Sequence, residues 1–76
     1  MKTMTCKQLG GACDLEFQAE TFEEITEMSK KHGMDMFTKF DQPHIAAMNE
    51  IYKLISIPGA MESWMEEKRK EFDALP

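Results

Sequence analysis

The chain has 76 residues, 42% of them hydrophobic and 30% charged, and a formal net charge of −5. That length makes a single domain, and the composition is that of a globule rather than a disordered tail. The acidic balance argues against nucleic-acid or anionic-membrane surfaces, and no stretch has the length and apolarity of a signal peptide or membrane span. A chain this short buries only about 60% of the surface its unfolded form exposes, so a staple or a partner is expected. The expected compartment is the cytoplasm, where two cysteines serve as reduced thiols or metal ligands more often than as a structural disulfide.

The first predicted element is a β-hairpin. Lys2 to Cys6 alternates in side-chain character, and Cys13 to Ala19 alternates more cleanly, on either side of Gly10-Gly11. Met4, Cys6, Cys13, Leu15 and Phe17 should form its buried face, with Thr5, Asp14 and Glu16 towards water. With Gly10-Gly11 as a two-residue turn, both glycines need positive φ and Cys6 lies opposite Leu15. The cysteines are then diagonal neighbours, roughly 7–8 Å apart. A disulfide needs Cβ atoms about 3.5–4.5 Å apart, so that register forbids one. A longer loop would set Cys6 opposite Cys13 and allow it. Core thiols, metal ligands and a disulfide are thus three readings of one pair.

Thr21-Phe22-Glu23-Glu24 is a capping box, and Phe22, Ile25, Met28, His32 and Met36 follow at helical spacing. Gly33 is either the residue that stops this helix or a tolerated interior glycine. Because the stripe continues through Phe37 and Phe40, the helix is expected to reach about Lys39. Asp41-Gln42-Pro43 opens a second helix with Ile45, Met48, Ile51, Tyr52 and Ile55 on one face and Ala47 and Leu54 on its flank. Ser56-Ile57-Pro58-Gly59 breaks it. The third helix carries a stripe of Met61, Trp64, Met65, Lys68, Phe72 and Leu75, with Glu66 and Lys70 placed for an i,i+4 pair on the charged face. The predicted fold is α+β: an N-terminal β-hairpin packed on helices, in the order strand, strand, helix, helix, helix. Residues 1–76 form one small domain, with 1–40 as hairpin plus first helix and 41–76 as a helical extension.

Cys6, Cys13, His32 and His44 make up a zinc-type donor set at C-x6-C-x18-H-x11-H. Familiar structural sites pair their ligands more closely, at C-x2–4-C and H-x3–5-H, and a histidine near a helix end also caps carbonyls or packs. His32-Gly33-Met34-Asp35-Met36 offers an imidazole and two thioethers of the kind soft Cu(I) accepts. Eight methionines are spread along the chain, as filler for irregular gaps or as adaptable contact surface. The sequence has no Ser-His-acid arrangement, no glycine-rich phosphate loop and no C-x-x-C, so an enzyme is not expected. Paired acids such as Glu23-Glu24 and Glu66-Glu67 read as solvated helix surface.

The stretch from Met1 through Cys6, Leu9-Gly10, Cys13-Asp14 and Phe17, together with His32-Gly33, resembles a bacterial domain-of-unknown-function family. Its members are often labelled predicted small metal-binding proteins. The resemblance covers roughly residues 1–33, and the part from about Asp41 onward looks like an extension. It implies a hairpin-plus-helix fold and points to metal binding, with no catalytic role. Members often carry a second histidine about five residues before the His-Gly, where this chain has Glu27.

The resulting expectation is a small binding module that holds a transition metal, zinc if any, through Cys6, Cys13 and His32. The fourth ligand would be His44, Glu27 or water. A metal-free interaction module is the alternative, and a thiol redox protein a weaker third. The expected partner is a second copy, docked through Met61, Trp64, Met65 and Phe72 on the third helix. Equally, that stripe could pack on the second helix within one chain.

Overall fold

Alternation at both ends of the Gly-Gly segment produces two short antiparallel strands in the structure, a computed structural model that describes all 76 residues. They are β1 (Lys2–Thr5) and β2 (Glu16–Ala19), followed by α1 (Phe22–Thr38), α2 (Gln42–Ile55) and α3 (Ala60–Asp73). This is the expected α+β order. Met4 faces Phe17 and Thr5 faces Glu16. The Cys6 N–H donates to the Leu15 carbonyl at 2.8 Å and continues that register, the one a Gly10-Gly11 turn would set.

The connection itself is not a two-residue turn. Lys7–Leu9 forms a single 3-10 turn after β1. The Lys7 N–H donates to the Cys13 carbonyl at 3.0 Å, and the Gly11 N–H folds back onto the Cys6 carbonyl at 2.8 Å. Only Gly10 takes the left-handed conformation, at φ 93°, so the expectation of positive φ at both glycines fails for Gly11. Because β2 begins at Glu16 rather than Cys13, the alternation does not extend back to Leu15. That side chain is 49% exposed, contrary to the expected buried face.

The core forms where the hairpin's inner face meets α1 and the end of α3. Met4, Phe17 and Ala19 from the strands, Phe22 and Ile25 from α1 and Phe72 from α3 are all buried. Phe22 and Phe72 meet edge to face with ring centroids 5.9 Å apart, a favoured aromatic geometry. Phe72, assigned from sequence to a contact with a second chain, is therefore only 3% exposed within its own chain. Met61, Trp64 and Met65 remain half-buried. The spacing that placed Phe72 on their stripe also carries it about two turns beyond Met65, onto the hairpin.

The capping box behaves as expected at the start of α1. Thr21 Oγ1 accepts the Glu24 N–H at 3.2 Å and donates to the Glu24 carboxylate at 3.0 Å. Gly33 lies inside this helix, which ends at Thr38. Past His32 the apolar stripe runs off the core, leaving Met34, Phe37 and Phe40 exposed.

α2 is packed differently. Its predicted apolar face contributes no buried side chain. Ile45, Met48 and Ile51 are half-buried, as are Ala47 and Leu54, while Tyr52 and Ile55 are exposed. The one buried residue of α2 is His44. No helix is long and apolar enough to cross a membrane.

Candidate metal centre

Four chain segments converge beside the hairpin loop, each delivering one donor. Cys6 follows β1 directly, Cys13 sits at the far side of the loop, His32 lies well along α1, and His44 is in the first turn of α2. One ligand atom from each of the four lies within 4.8 Å of all the others. Cys6 Sγ is 3.6 Å from His44 Nε2, and Cys13 Sγ is 3.3 Å from His32 Nε2. Zinc bonds of about 2.3 Å to sulfur and 2.0–2.1 Å to nitrogen place donors of a tetrahedron about 3.5 Å apart. Two thiols and two imidazoles at this spacing could hold such an ion. Both cysteines are free thiols, so the disulfide alternative is not adopted.

The loop is shaped around Cys6. A Cβ placed on Gly11 would stand 2.1 Å from Cys6 Sγ, far inside contact distance. Gly11 thus serves the site by leaving room for the sulfur rather than by adopting positive φ. Burial raises the Cys6 thiol above its ordinary pKa, while the Cys13 and Ala12 backbone amides favour the thiolate. At Cys13 burial pushes the same way, but the Leu15 backbone amide and the His44 imidazole outweigh it and lower the pKa. The two thiols therefore differ: Cys13 ionises more readily and is half-exposed, whereas Cys6 is buried.

His44 is oriented from behind. Asp41, the N-cap of α2, accepts the His44 backbone N–H at 3.1 Å, and the same Oδ2 is hydrogen-bonded to His44 Nδ1. With its proton on Nδ1, a neutral His44 presents the Nε2 lone pair towards the thiols, as ligating histidines backed by a carboxylate do. This hydrogen bond also raises the His44 pKa, against the opposing effect of burial. The His32 and His44 rings meet edge to face at 5.1 Å, and Phe17 packs on His32 at 5.7 Å.

All four sequence-derived ligand candidates are therefore brought together. Glu27, the carboxylate alternative, is exposed and outside the cluster. Met34 is also exposed, on a different face of α1 from His32, which leaves the soft-metal grouping around His32 unassembled. Sequence reasoning assigned Asp41 only a capping role and Gly11 only a turn role. The signal for Asp41 was present: an N-cap acid three residues before a histidine places carboxylate and imidazole side by side. No family model, curated protein or solved structure matches this chain.

Proposed function

We propose that the protein is a small metal-binding module that holds one zinc ion through Cys6, Cys13, His32 and His44. The metal's role is structural: four protein donors complete a tetrahedral shell and leave no position for a substrate. The observation that carries this reading is His44. It is the only buried residue of α2, and its Nε2 faces Cys6 Sγ at 3.6 Å. Coordination would tie α2 to the hairpin loop and to α1 at the point where apolar packing is thinnest. Asp41 would set the orientation and basicity of His44.

Native mass spectrometry with elemental analysis of untagged protein tests this. One zinc per chain is expected, with loss of the metal when Cys6 and Cys13 are both changed to Ser. Affinity at such sites is partly folding free energy, so that variant should also be less stable. A protein that stays folded in chelator and takes up neither zinc nor Cu(I) at micromolar levels would remove the metal reading.

A further inference from the structure

The methionines and the tryptophan of α3 have no part in the metal centre, yet they line an open feature. Two adjoining hollows of about 390 and 470 Å³ share Phe22, Met61 and Met65 as their common wall. Trp64, Leu9 and Ile51 extend the first hollow towards α2. The result is a groove between α1 and α3 whose floor is aromatic, aliphatic and thioether. Flexible, polarizable methionines let such a floor mould itself to an apolar helix face.

Charge on the rim indicates which helix. Glu27 borders one hollow and Glu62 and Glu66 the other. Glu27 and Glu62 have no cationic partner within the chain, while Glu66 is 4.0 Å from Lys70. Of the cations at the groove, Arg69 is taken up by Glu23 at 2.5 Å, and Lys68, 5.6 Å from the centre of the Trp64 ring, is paired with Glu71 at 3.3 Å, which leaves Lys30. The rim is therefore net acidic, on a chain whose formal charge is −5. We infer that this groove is a docking site for a basic amphipathic helix of a partner protein, its apolar face on Met61, Trp64 and Met65 and its cations against Glu27 and Glu62.

Trp64 is the only tryptophan, so its fluorescence reports on the groove directly. The probe is an amphipathic Leu/Lys helical peptide of about 18 residues, long enough for several turns of contact. A Leu/Glu peptide of the same pattern and a scrambled Leu/Lys peptide serve as controls. The full chain is used throughout at constant metal content, so the outcome does not depend on whether zinc is the resident ion. The amphipathic Leu/Lys peptide should shift Trp64 emission and bind more tightly than either control by about tenfold, a scale consistent with close charge complementarity. Changing Met61 and Met65 together to Ala should weaken it by about tenfold, as truncation of interface anchors does. E27Q with E62Q should weaken it several-fold while leaving the emission of the free protein unchanged. The inference falls if Trp64 does not respond, or if the Leu/Glu or scrambled peptide binds equally well. It also falls if Trp64 emission shifts with protein concentration alone as light scattering reports a dimer, because a second copy would then occupy the groove.

Discussion

The hairpin side of α1 and its α2 side are held by different physics. On the first, Met4, Phe17, Phe22, Ile25 and Phe72 exclude water from one continuous apolar core. On the second, the apolar side chains of α2 are at most half-buried, and its one buried residue is His44. Apolar burial at roughly 25 cal/mol per Å² suffices to fix the hairpin on α1. It is a weak anchor for α2, whose Tyr52 and Ile55 face outward. Four convergent donors lie at that point, and a metal ion held by them would supply what packing does not. On the proposed zinc reading, a domain of this size would divide its cohesion between a hydrophobic half and a coordinated half, which makes the two halves separable by experiment.

The largest effect should come from the hydrophobic half. Replacing Phe17 with Ala removes the ring that packs opposite Met4 and against His32, and should cost about 3–5 kcal/mol. That is most of the stability of a small domain, and denaturant unfolding should show loss of the fold even with zinc present. If zinc fully rescued this variant, the division between the halves would be wrongly drawn.

Asp41 probes the coordinated half with a smaller effect. Asp41→Asn keeps the cap but weakens the group behind His44, and zinc affinity should fall about 10–100-fold by competition titration. Proton competition supplies a second readout. Asp41 raises the His44 pKa, so zinc affinity should decline as pH falls through that raised value. In Asp41→Asn the decline should begin at lower pH, because His44 gives up its proton more easily. For the metal-free protein the sign is reversed. The contribution of the charged His44–Asp41 pair is fully present below the ordinary histidine pKa and is lost as pH rises through the raised one. A purely structural role for Asp41 would lower affinity without moving the pH profile.

The smallest effect is a gain. A Cβ on Gly33 would meet no atom within 4 Å, and the residue sits inside α1. Gly33→Ala should therefore raise thermal stability by about 0.5–1 kcal/mol through helix propensity alone. It should leave zinc affinity unchanged, although Gly33 adjoins His32. A loss of affinity would show that the backbone there must bend when the site fills.

Much of this architecture was legible in the residues. The capping box at Thr21, the Asp41-Gln42-Pro43 start and the alternation through Phe17 and Ala19 each specify their element locally, and the order of elements follows. Cys6, Cys13, His32 and His44 could be named from side-chain chemistry, although their spacing matches no familiar module. Their convergence depends on where α2 lies, which no local pattern encodes. The same long-range ignorance explains the errors. Leu15 has strand-like neighbours in sequence, but the loop that shapes the Cys6 site runs through it, and β2 begins only at Glu16. Phe72 shares a stripe with Trp64, yet the hairpin covers only the end of α3. For α2, a 3.6-residue period identified an apolar face without revealing that little would pack against it.

Hydrogen exchange of the zinc-loaded protein, repeated after chelation, tests most directly whether coordination is what holds α2. With metal removed, the amides of Gln42–Ile55 should lose protection, while those of β1, β2 and the first half of α1 retain it. Unchanged protection across α2 after chelation, or simultaneous loss throughout the chain, would contradict the account.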